Sequence, residues 1–139
     1  MKFLILGAKG QLAKEFISKF EESGRNYIAL SKEELDIRNT NKVFEVIRNI
    51  KPDVVINCAA YNLVDKAENS REEAIATNTF GVANLAFACR ETKSFLVHYS
   101  TDYVFDGEKM GFYTEEDKPN PINEYGKSKL FGELFIQEI

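Results

Sequence analysis

A phenol, an amine and a hydroxyl are spaced in this chain as a proton-transfer site requires. Tyr125 and Lys129 stand at i and i+4 in Tyr-Gly-Lys-Ser-Lys, and Thr101 lies upstream in the run Val97-His98-Tyr99-Ser100-Thr101-Asp102-Tyr103-Val104-Phe105. On a helix, i and i+4 share one face, so the phenol and the ammonium would stand side by side. A free tyrosine titrates at about 10, and a fixed positive charge nearby favours the phenolate. At roughly 5 Å and an effective dielectric of about 20 the attraction is on the order of 3 kcal/mol, or about two pKa units. Such a phenol can act as general acid towards a ketone oxygen, and the Thr101 hydroxyl would add a second hydrogen bond to that oxygen. The competing reading is a surface Tyr and Lys on an amphipathic helix, because Tyr-x-x-x-Lys occurs often by chance.

The amino terminus supplies context. Met1-Lys2-Phe3-Leu4-Ile5-Leu6 is a short apolar run that enters Gly7-Ala8-Lys9-Gly10-Gln11-Leu12-Ala13. This reads as a buried parallel strand, a tight turn and a helix starting near Gly10. Glycines at Gly7 and Gly10 would let the backbone approach a pyrophosphate, while the first N–H groups of the helix supply hydrogen bonds and the positive end of its dipole. The spacing is G-x-x-G-x-x-A, with Ala13 as the smallest replacement for a glycine that packs helix against strand.

The elements that must position these groups alternate along the chain. Strands are predicted near 2–6, 26–30, 53–58 and 95–100, with a short one around 35–37; helices are predicted near 10–23, 40–50, 71–92 and 122–138. Ser23-Gly24 closes the first helix, Asn39 or Thr40 caps the second, and Lys51-Pro52 stops it. Alternation of this kind means an α/β fold, a Rossmann-like doubly wound parallel sheet in three α/β/α layers. Right-handed crossovers then place a crevice beside the first strand, where Gly7 to Ala13, Ala59 to Asn62 and Ser100 to Phe105 converge at strand ends. The one long connection, 106–121, is a further candidate for function.

Composition sets bounds. The chain has 139 residues, 44% hydrophobic and 29% charged, with a formal net charge of -4. That is one domain's worth of chain, with no basic stripe for nucleic acid and no apolar run that spans a membrane or forms a signal peptide. Cys58 and Cys89 lie in apolar runs without metal-ligand spacing, and His98 is the single histidine. Both thiols are read as buried and free, in a reducing cytoplasm, and no metal site is expected.

Four runs together carry a family resemblance: Pro52 to Tyr61, Val64 to Glu68, Val97 to Gly107, and Tyr125 to Leu130 with Gly132-Glu133. In this order they closely resemble the dTDP-4-dehydrorhamnose reductases of the extended short-chain dehydrogenase/reductase superfamily, over the whole chain. The resemblance implies reduction of the 4-keto group of dTDP-4-dehydro-L-rhamnose to dTDP-L-rhamnose with NADPH or NADH. It implies that Thr101, Tyr125 and Lys129 are catalytic, with Lys129 both lowering the phenol's pKa and holding the ribose hydroxyls. By the same resemblance Gly10, Gln11 and Leu12 contact the pyrophosphate, Asp36 and Ile37 the adenine end, and Ala60, Tyr61 and Asn62 the middle of the cofactor. Thr101 and Asp102 are implied substrate contacts. Asn62 replaces the family's usual Thr.

Each residue also has a plainer reading. Asp36 can be a turn residue before the second helix, Tyr61 a cover for apolar surface, Asp65 to Glu68 a solvated helix start, and Asn78 a satisfied core amide rather than a proton relay. Phe131, Phe135 and Ile139 form a stripe that faces a core by default. The second strand ends in Ser31-Lys32 with no acid at its tip, although Glu33 or Glu34 could reach the ribose; NADPH is expected to bind at least as well as NADH. Members of the family are about twice as long, so the sheet is expected to be truncated after the helix carrying Tyr125 and Lys129, without the carboxyl-terminal substrate-binding part. The strand near 95–100 would then be an edge, part of the Phe131, Leu134, Phe135 and Ile139 surface would lose its cover, and self-association or a partner chain is expected. Two other functions compete with a reductase: a non-catalytic dinucleotide-binding module, as in the regulatory subunit of methionine adenosyltransferase, and a sugar-nucleotide dehydratase or epimerase.

Overall fold

Every second residue of the first strand points to the opposite face of a sheet, yet the run stays apolar, so both faces must be covered. The computed structural model describes residues 1–139 and shows this arrangement. Four parallel strands, β1 (Lys2–Leu6), β2 (Asn26–Leu30), β3 (Val54–Asn57) and β4 (Phe95–His98), lie in the order β2-β1-β3-β4. Leu4 and Leu6 turn to one face with Val55, under α2 (Thr40–Ile50) and α5 (Val82–Thr92); Phe3 and Ile5 turn to the other with Ile56, under α1 (Gln11–Glu22). The chain is an α/β, Rossmann-like, doubly wound fold, and its order reverses between β1 and β3. The carboxyl ends of those two strands open the crevice.

The strands and the first two helices fall where the sequence places them. Gly24 adopts φ 62 just after α1, Asn39 caps α2 by accepting from Lys42 N at 3.1 Å, and Lys51 leaves it in the left-handed region. Two predicted elements differ. Residues 35–37 form no strand, because Leu35 and Ile37 are held in the core as an irregular segment and not paired to a neighbour. The long helix expected over 71–92 is α4 (Arg71–Ile75), a π-helical turn (Ala76–Gly81) and α5, preceded by a short α3 (Val64–Ala67).

The last helix, α6 (Glu124–Glu138), packs through its smallest residues. Gly132 sits against the carbonyl of Asn78, and Gly126 against that of Tyr103; a Cβ at either would collide. The stripe expected to face the core does not. Phe131 and Leu134 are exposed and, with Phe135, Ile75 and Phe80, line an apolar groove, because the face that meets the fold is Gly126, Ser128, Lys129 and Gly132. Asn123 caps α6 by accepting from Gly126 N at 2.7 Å, and Glu68 accepts from Glu124 N at 2.8 Å. Arg71 and Lys127 both pair with Glu124 at 2.8 Å.

The long connection is tied around Asp106. Its carboxylate accepts from Asn120 Nδ2, Tyr113 Oη and Glu108 N, while Phe105 and Tyr113 stack at 4.3 Å between ring centroids. No helix is long and apolar enough to cross a membrane.

The Gly132 contact reverses a rule. On an open helix Gly to Ala stabilises by about 1 kcal/mol. Here Gly132→Ala is expected to destabilise by about 1–3 kcal/mol through overpacking, read as a lower midpoint in urea unfolding.

Candidate functional site

The crevice begins with a backbone position that only glycine fills easily. Gly7 has φ 79, and a Cβ there would lie 2.9 Å from Ala59 N. Its N–H and that of Ala8 both donate to Leu30 O at 3.0 Å, so the turn is fixed to β2 before α1 starts. Gly10 caps α1 without a side chain, and no acid occupies the first turn. The first ladder bond runs from Lys14 N to Gly10 O, so the N–H groups of Gln11, Leu12 and Ala13 have no helical partner. Ala13 is fully buried against Phe3, Ile5 and Ile56, as a small residue there should be.

A cleft of about 350 Å³ opens from this turn. Gly7, Gly10, Asp36, Ile37, Ala59, Ala60, Tyr61 and Asn62 line it, together with Lys9, Lys32, Glu33, Leu35, Cys58 and Thr77. Gln11 and Leu12 do not form its wall and stand on the exposed first turn of α1. Asp36 is both turn residue and lining: it accepts from Arg38 N at 3.0 Å and holds the Arg38 guanidinium at 2.5 Å. That guanidinium keeps the Asp36 carboxyl below the usual range. Ile37 is buried, packs on Gly81 and gives its carbonyl to Asn84 Nδ2 at 2.9 Å. Glu34 accepts from Ser31 N at 2.8 Å, and Glu33 pairs with Lys9 at 3.0 Å, so both acids near the β2 tip are engaged. Backbone bonding at Glu33, then Lys9, pulls its carboxyl down to about 2. Cys58, expected to be buried, is only half-buried because it lines the cleft; burial still raises its thiol to about 11, and that of Cys89 to about 12.

Thr101, Asp102, Tyr125 and Lys129 do not line this cleft; they gather beside it, where β4 ends and α6 begins. Thr101 caps a 3-10 turn (Asp102–Val104), accepting from Tyr103 N and donating to Asp102 Oδ1, both at 3.2 Å. Tyr103 and Tyr125 meet edge to face at 5.7 Å. Asp102 belongs to a second cavity of about 300 Å³ with Tyr103, Phe105, Tyr113, Ile122 and Asn123.

The electrostatics of the pair differ from the sequence expectation. Burial raises the Tyr125 phenol above its ordinary value, with the Thr101 hydroxyl opposing and Asp102 adding to the rise. Lys129 has no part in that balance. Its ammonium donates to Tyr99 O at 2.5 Å and lies 3.5 Å from His98 Nε2. Helical spacing places Tyr125 and Lys129 on one face, as expected, but the lysine is buried and its head is drawn to the Tyr99 carbonyl just beyond β4. Burial lowers Lys129 to about 8, with Glu133 opposing.

Two amides organise the ensemble, and of the two only Asn78 is noticeable in the sequence. Asn78 is 1% exposed; it accepts from Tyr61 N at 2.8 Å and donates to Tyr61 O at 2.9 Å and Ser128 Oγ at 3.0 Å. It thus ties the cleft wall to α6. Asn57 accepts from Ala59 N at 3.0 Å and faces His98 Nδ1 at 3.1 Å. Thr77 reaches the cleft because the π-helical turn carries it there, and no sequence signal marks that turn.

The sequence model of the family described as the RmlD substrate binding domain matches residues 1–139. The chain belongs to that family. Among RmlD-type relatives, it is 46% identical over 136 residues to a dTDP-4-dehydrorhamnose reductase of Aggregatibacter actinomycetemcomitans, covering 97% of this chain and 46% of that protein. It superposes on the dTDP-4-dehydrorhamnose reductase of Clostridium acetobutylicum with a TM-score of 0.97 at 43% identity, covering 99% of this chain and 49% of the other. The enzyme of that name from Bacillus anthracis, solved in complex with NADP, gives 0.95 at 40% identity, with 99% and 49% covered. The chain therefore spans about half the length of the curated relatives it matches. A UDP-glucose 4-epimerase of Thermus thermophilus, at 23% identity and TM-score 0.87, shares the fold.

His98 makes the site pH-sensitive. Burial, then the Lys129 charge, depresses its imidazole from 6.5 to about 4. The unfolded chain takes up that proton first, so folded stability is complete above pH 6.5 and declines towards pH 4, by on the order of 3 kcal/mol. Chemical denaturation from pH 7 to 4, compared with His98→Asn, should show this slope in the native chain and its loss in the variant.

Proposed function

We propose that residues 1–139 form the NAD(P)-binding, proton-donating part of an enzyme that reduces the 4-keto group of dTDP-4-dehydro-L-rhamnose to dTDP-L-rhamnose in the cytoplasm. What supports this reading is the tie, through Asn78, between Tyr61 on the wall of a strand-end cleft and Ser128 on the helix that carries Tyr125, the phenol on which the Thr101 hydroxyl acts. The cleft suits a dinucleotide: a Cβ would fill the cradle at Gly7, and the free N–H groups of Gln11, Leu12 and Ala13 suit a pyrophosphate. Asp36, Ile37, Ala59, Ala60, Tyr61 and Asn62 would line the rest of the cofactor. Bound NADPH or NADH supplies the hydride.

The chain's own residues then have separate tasks. Tyr125, kept protonated by burial, gives its proton to the oxygen that becomes the alcohol, and Thr101 holds that oxygen while charge develops. Thr101 and Asp102 would face the dTDP-sugar. Lys129, released from the Tyr99 carbonyl to within about 5 Å of the phenol, would stabilise the phenolate by on the order of 3 kcal/mol. Cofactor choice follows from the β2 tip. Glu33 and Glu34 are engaged, while Lys32 lines the cleft, an arrangement that favours a 2'-phosphate.

The engagement of Lys129 with Tyr99 favours a second reading, a dinucleotide-binding module that regulates without catalysis. Oxidation of NADPH with dTDP-4-dehydrorhamnose separates the two. Tyr125→Phe is expected to cut turnover by about 10²–10⁴-fold while cofactor binding persists, and NADPH should bind at least as tightly as NADH. Binding without turnover in either chain supports the module, and an NADH preference above about tenfold refutes the cofactor assignment.

Self-association, or a partner chain over the groove of Phe80, Phe131, Leu134 and Phe135, belongs to the same proposal. Light scattering should show a concentration-dependent mass. A constant monomer mass at high concentration, without a partner, rules it out.

A further inference from the structure

His98 is the single histidine of the chain, and the network decides where its proton sits. Asn57 Oδ1 accepts from Ala59 N, a group that can only donate, which sets the orientation of the amide and turns its Nδ2 to His98 Nδ1 at 3.1 Å. Nδ1 must therefore accept. A neutral imidazole then carries its hydrogen on Nε2, the atom 3.5 Å from Lys129 Nζ. An N–H there offers the ammonium no acceptor.

We propose that His98 is a positioning residue for Lys129: held by Asn57 as the Nε2–H tautomer, it denies the lysine a second anchor and leaves two of its three N–H bonds free for a ligand or for Tyr125. The Tyr99 carbonyl takes the first, at 2.5 Å. The opposite tautomer would present a lone pair and hold the ammonium by two acceptors against β4. The network that fixes the tautomer starts at the cleft wall, since Ala59 N orients Asn57 and Asn57 orients His98, so the segment that lines the cleft sets which ring atom faces the lysine. The value of this positioning for proton transfer rests on the reductase reading; the tautomer does not.

Burial already lowers Lys129 to about 8, against the opposing charge of Glu133 one turn along α6. The other groups around it are Tyr125 one turn back, and His98 and Tyr99 on and just beyond β4, with the Cys58 thiol acting on Tyr99 from the end of β3. Ser100 donates to Glu133, which limits how far that carboxylate can turn to the lysine.

The test uses nitrogen-15 spectra of the imidazole in this chain, together with the titration of the Lys129 ε-carbon. The expected result is the Nε2–H form at pH 7, with the ring resonances shifting as Lys129 titrates. In His98→Gln the amide oxygen can turn to the ammonium, so Lys129 should titrate higher by roughly one pH unit and NADPH should bind several-fold more weakly. An Nδ1–H tautomer in the native chain, or a Lys129 titration unmoved in His98→Gln, overturns the proposal. None of these readouts needs the sugar. A chain that shows the Nε2–H form and the shifted lysine but no reduction of dTDP-4-dehydrorhamnose would bear out the positioning and sink the reductase reading alone.

Discussion

With 1% of its surface exposed, the Asn78 amide cannot rely on water, and everything at the site is arranged around the partners it must find inside the protein. Leaving such a group unpaired costs about 1–3 kcal/mol for each lost bond, so its partners are constrained as strongly as it is. Two of them are the backbone N–H and C=O of Tyr61, which fixes the cleft wall; the third is Ser128, which fixes α6 between Tyr125 and Lys129. Asn78 sits in the π-helical turn, where the wider i to i+5 spacing aims side chains differently from an α-helix. Ser128 and Thr79 complete the junction: Ser128 Oγ donates to Tyr125 O at 2.7 Å, and Thr79 Oγ1 to Ser128 O at 2.8 Å.

How much of this the sequence discloses depends on whether the signal is local. Strand β1 and the Gly7 turn are legible because an apolar run ended by a glycine has one economical reading, and β2 and α2 fall at their predicted bounds because Ser23-Gly24 precedes the one and Asn39 and Lys51-Pro52 bracket the other. Tyr125 and Lys129 are legible as a pair because helical spacing is a local rule. What the spacing does not carry is the direction of a flexible ammonium. Four methylene groups let it reach the Tyr99 carbonyl instead of the phenol, and only the fold determines that an unshared carbonyl waits there. The irregular 35–37 segment and the π-helical turn escape notice because each is engaged in long-range contacts, the first through the burial of Leu35 and Ile37 and the second through the bonds of Asn78 to Tyr61 and Ser128.

Family membership and geometry bear on different questions. An RmlD-type sequence over 1–139 and a shared fold at TM-score 0.97 set the backbone frame, but neither says what a particular ammonium bonds to. The hydrogen bonds of Asn57, His98, Lys129 and Asn78 supply that detail, and those of Asn78 tie the cleft wall at Tyr61 to the helix that carries Tyr125 and Lys129.

The last helix shows why such polar joints matter more here than apolar burial. Its large residues Phe131 and Leu134 face outwards, and the surface that meets the fold is made of Gly126, Ser128, Lys129 and Gly132. A helix docked on glycines gains close backbone approach and little hydrophobic area, so its register must be held by directional bonds. Those bonds exist at every level: Glu68 and Asn123 on its first N–H groups, Asn78 and Thr79 on Ser128, and Tyr99 on Lys129. Directional bonds fix angle as well as distance, which greasy contact does not. The proton transfer proposed for Tyr125 would need that kind of support, and the same arrangement leaves Phe131 and Leu134 on the open side of α6.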